Sequence, residues 1–495
     1  MTLKRDISFR QKRISAVGFL AIIFLLFSGC DASKTLTRER INTTENGLLK
    51  SIVFEGEKPE RMKLLERMDY YKVPGVSIAV IDNFQIEWAK GYGVTNSSSQ
   101  DPVTIFSIFQ AASISQAVTA AGVLALVARG EIALDDNIND HLQTWTIPDN
   151  QFTLKDKVTI RKLLSRSSGL VPLEYGGVEA IENKPSLLQI LKGEKTENPP
   201  VYVANIPGTE VEYSEACFAI LEKLIEDVSR QSFDGFMSEV LLTPLKMERS
   251  SFADLLPEPL FRDSVFGHTR EGFPFAGKGH IYPVTAANGL WTTSSDLAIF
   301  TVELMSAALG FSQNVFDSES ARSMLSVHIG NQGLGFFIAD EGDNLHFYIR
   351  GKNKGFSSIL VAYPVKGQGV VILANSENGE YLIDEILRAV SEAYNWPHFL
   401  PEVKKYLRLD PSVYQLYEGL YEINPAYQLN VSFEDYYLII QPTGQKATRF
   451  FVENATTFFS TDPYIRIRFV RDSEGTVTGL VLRQRDFRLE AKKIE

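Results

Sequence analysis

The stretch Phe109-Gln110-Ala111-Ala112-Ser113-Ile114-Ser115-Gln116 leads into an apolar run from Ala117 to Val127, and together they decide the fold of the chain. Small residues, a serine and then a segment with almost no polar face predict a helix that is buried on all sides. Arg129-Gly130 follows as its end, with a cation in the last turn and a glycine cap. A serine at the start of such a helix can point its hydroxyl into a cavity, and its N–H can bind an oxyanion. Gln116 lies three residues after Ser113 and therefore on the same helical face.

The bulk composition limits the classes of protein to which the chain can belong. Its 495 residues are 44% apolar and 22% charged, which is typical of a globular protein with two or three domains. The net charge of −11 argues against a nucleic-acid partner. No cysteine or histidine spacing builds a metal ligand set, and no glycine-rich nucleotide loop is present. We therefore expect no metal and no other cofactor.

The first 30 residues have the pattern of an export signal. Basic residues up to Arg13 precede an apolar run from Ala16 to Phe27, which ends at Ser28-Gly29-Cys30. Small residues directly before a cysteine resemble the lipobox of bacterial lipoproteins. This resemblance predicts that residues 1–29 are removed and that Cys30 carries lipid, so that an exported protein is held at a membrane, on the periplasmic side or at the cell surface. The alternative is an uncleaved signal anchor.

The remaining pattern predicts a tether over residues 30–58, an α+β domain over residues 59–400 and a small barrel over residues 410–495. Strand-like runs at both ends of the α+β domain, with helices between them, indicate one shared antiparallel sheet. Within it, Thr159 and Gly169 are predicted as the caps of a helix. Past Leu416, about eight short alternating runs without a helix are enough for a closed or nearly closed antiparallel barrel.

Five short segments occur together in one order: Ala112 to Ser115, Leu163 to Leu170, Pro207 to Ser214, Gly289 to Leu297, and Gly351 to Phe356. This set resembles the penicillin-recognising serine hydrolases, which include class C β-lactamases, DD-peptidases and related esterases. The resemblance implies the β-lactamase/transpeptidase-like fold, in which helices pack on an antiparallel sheet. The tail is similar to the lipocalin-like domain that follows the catalytic domain in some of these peptidases.

The resemblance also implies roles for particular residues. Ser113 corresponds to the nucleophile that forms an acyl-enzyme with an amide or ester, and Tyr213 to a base or proton relay. The N–H groups of Ser113 and Lys352 correspond to the oxyanion hole, with Gly351 and Asn353 beside them on the substrate-binding strand. The implied partner is a small-molecule or peptide substrate, and the sequence does not specify an oligomeric state.

Three positions depart from the family pattern. Gln116 stands where the family has lysine, Glu215 where it has asparagine or glycine, and Ile349 where it has lysine or histidine. An amide cannot accept a proton from serine, and losing a general base typically lowers the rate about 10²–10⁴-fold. A tyrosine with an unperturbed pKa near 10 requires about 4 kcal/mol to ionise at pH 7. We therefore expect a β-lactamase-related hydrolase that is weak or inactive.

Several alternatives stay open at this level. Glu215 could be the base if burial raised its pKa toward neutrality, and Lys352 or Lys354 could reach the pocket. Ser113 could be a helix N-cap without chemistry, and Tyr213 a structural aromatic residue. A non-catalytic lipoprotein of the cell envelope that binds a peptide or a cell-wall fragment is the alternative function.

Overall fold

The computed structural model describes residues 34–179, 181–484 and 487–494. The predicted export signal and Cys30 lie outside these residues. Within the described ranges, no helix has both the length and the apolar character needed to cross a bilayer.

The helices and strands are numbered in chain order. The helices are α1 (34–46), α2 (Leu64–Tyr71), α3 (Ile114–Ala128), α4 (Ile160–Leu164), α5 (Leu187–Lys192), α6 (Ala216–Ser229), α7 (Phe233–Met237), α8 (Glu258–Asp263), α9 (Thr285–Asn288), α10 (Ser294–Ala308), α11 (Ser318–Met324), α12 (Gly379–Ala393) and α13 (Pro411–Gln415). The strands of the α+β part and the linkers are β1 (Ile52–Phe54), β2 (Gly75–Asp82), β3 (Gln85–Gly93), β4 (Phe109–Gln110), β5 (Trp291–Thr292), β6 (Phe337–Ala339), β7 (His346–Asn353), β8 (Phe356–Tyr363), β9 (Gln368–Ala374) and β10 (Glu402–Lys404). The strands of the barrel are β11 (Gly419–Asn424), β12 (Tyr427–Glu434), β13 (Tyr437–Pro442), β14 (Thr448–Asn454), β15 (Thr457–Thr461), β16 (Tyr464–Arg471), β17 (Val477–Gln484) and β18 (Phe487–Lys493).

A six-stranded antiparallel sheet forms the centre of the α+β domain, in the order β3-β2-β9-β8-β7-β6. Strands from both ends of the domain therefore share one sheet, as the sequence predicts. Alternate residues of β2 face opposite cores: Val76, Ile78 and Val80 contribute to one, and Ala79 and Ile81 to the other. Because both faces are covered, β2 is a nearly continuous apolar run rather than a polar–apolar alternation.

The predicted buried helix is α3, which begins directly after Ser113. Its side chains are buried without interruption from Ile114 to Leu124, so no face of its first three turns is exposed. The short helix α9 contacts both α3 and α6. Since α3 also contacts β7, the start of α3 lies beside the sheet and the end of α9. This packing brings distant parts of the chain to Ser113.

Helix α4 is shorter than the sequence predicts. Thr159 caps its start by accepting from the N–H of Lys162, as expected. The helix ends at Leu164 rather than near Gly169, because Arg166 has a left-handed backbone with φ of 54°. Gly169 lies in the loop beyond, where its carbonyl accepts from the N–H groups of Ala204 and Asn205.

The segment predicted as a tether contains helix α1, which packs on the α+β domain. Arg40 of α1 forms ion pairs with Asp82 and Glu87, at 2.9 and 3.0 Å. Further along the segment, β1 pairs in parallel with β10. These residues of the predicted tether are therefore part of the folded structure. One apolar residue of α1, Ile41, packs on the core, and the ion pairs of Arg40 supply further contacts, so the helix has no periodic apolar stripe.

Strands β11 to β18 form a closed eight-stranded antiparallel barrel, as predicted. On β16, Ile467 and Phe469 are buried while Arg466 and Arg468 are exposed, which is the alternation expected from the sequence. The barrel contacts the larger domain through an ion-pair network in which Arg67 of α2 lies 3.3 Å from Asp462. Phe54 of β1 also packs against Phe451 and Phe459 of the barrel.

Candidate active site

Ser113 lies at the point where the chain turns from β4 into α3. The residue before it, Ala112, has φ of 50°, a backbone conformation that an alanine rarely adopts. Ser113 makes no side-chain cap bond to the helix; its Oγ instead donates to Oδ1 of Asn288 at 3.1 Å. The N-cap alternative does not describe this hydroxyl, because it points across to α9.

Strand β7 passes directly beside this turn. A Cβ at Gly351 would lie 2.5 Å from the carbonyl oxygen of Ala111 and 2.9 Å from the nitrogen of Ser113, so only glycine fits. Asn353 pairs with Phe356 across the hairpin, so the N–H of Lys352 faces away from β8 in an alternating antiparallel ladder. This arrangement is compatible with the predicted oxyanion hole at the N–H groups of Ser113 and Lys352.

Gln116, which replaces the family lysine, is fully buried and hydrogen-bonded at both ends of its amide. Its Oε1 accepts from Nη2 of Arg166 at 2.8 Å, and its Nε2 donates to the Tyr213 hydroxyl at 3.2 Å. Because a guanidinium has only donors, the contact with Arg166 fixes which end of the amide faces Tyr213.

Arg166 is a buried cation beside the site that the sequence interpretation missed. Its Nη1 donates to Oε1 of Gln332 at 2.7 Å, and burial lowers the pKa of its guanidinium. Within the described residues its guanidinium donates to Gln332, Gln116 and the Gly335 carbonyl, none of which is a carboxylate, and its buried Nε has no hydrogen-bond partner there. The signal available in the sequence was an arginine inside the segment from Leu163 to Leu170. In the structure this whole segment is buried.

Tyr213 keeps its proton at neutral pH. Burial of the hydroxyl, and then the charge of Glu215, raise the pKa of Tyr213 to about 12. A carboxylate destabilises a neighbouring phenolate, so Glu215 raises the pKa of the phenol. Tyr213 is also 39% exposed, so the ring reaches the surface while its hydroxyl lies among Gln116, Glu215 and Ser113. The phenol therefore does not accept a proton as a phenolate at pH 7.

Among the described residues, Glu215 is the only carboxylate that is hydrogen-bonded to Tyr213 or Asn288, and it is buried. Its Oε1 accepts from Nδ2 of Asn288 at 2.6 Å, and its Oε2 accepts from the N–H of Tyr175 at 2.7 Å. Burial raises the pKa of Glu215 to about 7, although these hydrogen bonds act in the opposite direction. Asn288, which the sequence interpretation also missed, thus lies between Ser113 and Glu215.

The third-motif residues do not supply a cation near Ser113. Ile349 is buried in the core. The ammonium of Lys352 lies 3.1 Å from Glu380, and that of Lys354 lies 3.9 Å from Glu377. Each lysine therefore has a carboxylate partner, Glu380 in α12 or Glu377 just before it. Asn353 is buried, and its Nδ2 donates to Gln110 at 2.7 Å.

A cleft of about 560 Å³ lies beside Ser113, and it reaches the site through Glu215, Asn288 and Lys352. It is lined by Glu174, Tyr175, Gly176, Gly177, Glu215, Arg270, Tyr282, Asn288, Lys352, Asn353, Lys354 and Glu377. The lining holds three cationic side chains, Arg270, Lys352 and Lys354, and three carboxylates, Glu174, Glu215 and Glu377, so the cleft is polar and carries both signs of charge. In the part of the chain that the structure describes, no three His, Cys, Asp or Glu side chains are grouped as a metal site.

The fold and this cluster define a serine-hydrolase-like protein, with helices packed on an antiparallel sheet and a serine at the start of the buried helix. A family model described as Beta-lactamase matches residues 63–393. The chain therefore belongs to the beta-lactamase family, as its motifs predict. The closed C-terminal barrel lies beyond the matched residues.

Two curated relatives are informative. The chain is 25% identical over 323 residues to Protein flp of Staphylococcus aureus (strain N315), covering 63% of this chain and 61% of that protein. It is 30% identical over 200 residues to Penicillin-binding protein 4 of Amycolatopsis lactamdurans, covering 39% of this chain and 48% of that protein. The chain thus spans about 61% of the length of the first of these relatives.

Solved structures share the fold. The octameric penicillin-binding protein homologue from Pyrococcus abyssi aligns with a TM-score of 0.60 at 21% identity, covering 86% of this chain and 98% of that one. A crystal structure of SurE aligns with a TM-score of 0.54 at 22% identity, covering 87% and 97%. At these identities the likeness concerns the fold.

Proposed function

We propose that the chain is an acyl-serine hydrolase of low turnover, which acts on an amide or ester through Ser113. The observation that carries this proposal is the replacement of the family lysine by an amide bonded to Arg166 and Tyr213. The hydroxyl and the glycine that lets β7 approach it are both present. What is missing is a strong base, and that loss lowers a rate without removing the nucleophile.

We propose that the substrate carries a carboxylate or another anionic group, as a peptide or a cell-wall fragment does. Arg270, Lys352 and Lys354 of the cleft can bind such a group, and the carboxylates of Glu174, Glu215 and Glu377 line the same cleft. The alternative is a protein that binds this ligand without chemistry. The resting hydrogen bond from Ser113 to the Asn288 amide oxygen favours it, because an amide oxygen does not take the proton away.

Covalent labelling separates the two functions. Soluble protein lacking residues 1–30 is incubated with a fluorophosphonate or a fluorescent penicillin, and the adduct is followed by intact mass and located by peptide mapping. We expect slow labelling that reaches one adduct per chain at Ser113, and none in Ser113→Ala. Saturable binding of the penicillin with no adduct after days would instead establish the binding protein.

We further propose that lipid at Cys30 holds the folded domains at a membrane, on the periplasmic side or at the cell surface. This rests on the sequence pattern of residues 1–30. In a bacterial host, the full chain is expected to incorporate radiolabelled palmitate and to sediment with membranes, whereas Cys30→Ser remains unlabelled. Equal palmitate incorporation into both proteins would contradict lipidation at this cysteine.

A further inference from the structure

A directed chain of hydrogen bonds runs through the site. Arg166 can only donate, so Gln116 must turn its Oε1 to Arg166 and its Nε2 to Tyr213. The Tyr213 oxygen therefore accepts from Gln116, and its own proton must go to a different acceptor. Oε1 of Glu215, at 3.5 Å, is the carboxylate oxygen within reach. The direction of donation is thus set from Arg166 through Gln116 and Tyr213 to Glu215.

Ser113 joins this chain at Tyr213. In the resting site its hydroxyl donates to Asn288. The proximity of Ser113 also lowers the pKa of Tyr213, so the phenol oxygen is a second acceptor near the serine. A hydroxyl hydrogen rotates between two such acceptors at little cost. Asn288 donates to Glu215 and accepts from Ser113, so it holds both ends of the Ser113–Tyr213–Glu215 path in place.

We propose that Tyr213 and Glu215 form a proton relay that takes the place of the lysine, and this inference rests on the proposed acyl-serine function. As Oγ of Ser113 bonds to the substrate carbonyl carbon, its proton passes to the Tyr213 oxygen and the phenol proton passes to Oε1 of Glu215. When the tetrahedral intermediate collapses, Tyr213 gives a proton to the leaving group and recovers one from Glu215. Water repeats the sequence in deacylation. The phenol stays neutral before and after each step, so no phenolate has to accumulate.

Gln116 and Arg166 are positioning residues in this relay. They do not exchange protons with the substrate; they orient the Tyr213 lone pairs so that its hydrogen faces Glu215. The burial of an arginine without an ion-pair partner among the described residues is costly. An oriented relay gives that burial a function.

The electrostatic surroundings of Glu215 come from several elements. Its neighbours are Tyr213 before α6, Asn288 of α9, Tyr175 and Glu174 of the loop before α5, Arg166 after α4, Tyr282 before α9, and, across the cleft, Arg270, Lys352, Lys354 and Glu377. Burial is the largest influence and raises the pKa of Glu215 to about 7. The relay needs the carboxylate form, so acylation is expected to accelerate as pH rises through about 7.

The test is the pH profile of acylation by nitrocefin or a fluorophosphonate between pH 5 and 9, measured on folded protein lacking residues 1–30. We expect wild type to show one inflection near 7, and Glu215→Gln to lose this inflection and at least tenfold in rate. Tyr213→Phe changes a partly exposed ring and is expected to show the same loss of rate. It tests the relay if Glu215→Gln does not fold. Gln116→Met should lower the rate while keeping the inflection, as a positioning role requires.

Glu222 provides the matched control. It is another buried carboxylate of α6, it accepts from the N–H of Ala286, and burial raises its pKa to about 8. Glu222→Gln is expected to keep the wild-type profile. An unchanged profile in both Glu215→Gln and Tyr213→Phe would overturn the relay while Ser113 labelling still supports the hydrolase. No labelling of Ser113 at any pH would overturn both.

Discussion

Gln116→Lys is expected to raise the rate of Ser113 acylation by about 10²-fold at pH 8. The introduced side chain starts from the same face of α3 as Ser113, three residues away, and takes the place of an amide that lies 3.2 Å from the Tyr213 hydroxyl. An amine there can accept the serine proton directly, which Gln116 cannot do. The measurement is the pseudo-first-order rate of adduct formation with nitrocefin or a fluorophosphonate.

Arg166 decides the protonation state of that amine. Its Nη2 lies 2.8 Å from Oε1 of Gln116, so an ammonium at this position would face a guanidinium in a buried site. Both the like charge and the desolvation favour the neutral amine, which is the form that accepts a proton. The rate of Gln116→Lys should therefore rise with pH and level off below the range in which an exposed lysine titrates.

We expect a rate increase at the low end of the 10²–10⁴-fold effect of a general base, because Gln116→Lys removes the amide oxygen that accepts from Arg166. Gln116→Met is the control, since it removes the amide without adding a base and is expected to give no gain. A folded Gln116→Lys protein with the wild-type rate from pH 6 to 9 would show that the missing lysine does not limit this site.

Much of the fold follows from periodicity in the sequence. Helix α6, Ala216–Ser229, shows this directly, because its amphipathic stripe extends over four turns. The sheet shared by both ends of the domain and the closed barrel follow from alternation and turn residues. The sequence pattern within each of these helices and strands is enough to predict it, and the face that the pattern marks as apolar is the face that packs in the structure.

The site was less accessible to sequence reasoning. The sequence placed Ser113, Gln116, Tyr213 and Glu215 in one region, and the structure brings their side chains together. The sequence did not reveal the role of Arg166, because a hydrogen bond between residues 50 positions apart produces no periodic pattern in the sequence. Helix α1 was missed for a related reason, since the ion pairs of Arg40 with Asp82 and Glu87 hold a segment without an apolar stripe.

Glu385→Ala is expected to destabilise the larger domain by about 3–5 kcal/mol. Arg67 of α2 donates from Nε and Nη2 to the two oxygens of Glu385 on α12, at 2.8 and 2.7 Å, and the two side chains are 10% and 4% exposed. This pair raises the pKa of Arg67 despite its burial, so the guanidinium keeps its charge. Removing the carboxylate would leave that buried charge with the neutral Tyr71 hydroxyl at 2.7 Å and the more distant carboxylate of Asp462 at 3.3 Å.

The same helix offers a matched control. Glu392 of α12 also binds an arginine, Arg61, through both oxygens, but these side chains are 43% and 36% exposed. Glu392→Ala is expected to cost about 1 kcal/mol or less, because water screens an exposed pair. Urea unfolding followed by tryptophan fluorescence reports on the larger domain, since Trp88, Trp145, Trp291 and Trp396 all lie before the barrel.

The double variant Arg67→Met with Glu385→Leu separates two explanations of the loss in Glu385→Ala. Either the ion pair itself stabilises the fold, or the loss comes from leaving the Arg67 charge buried without its partner. Replacing a buried pair by apolar side chains of similar volume is often neutral, because the desolvation of both charges is avoided. We therefore expect the double variant to recover most of the stability that Glu385→Ala loses. Equal losses in Glu385→Ala, Glu392→Ala and the double variant would contradict this account, because burial of the Arg67 charge would then have no measurable effect.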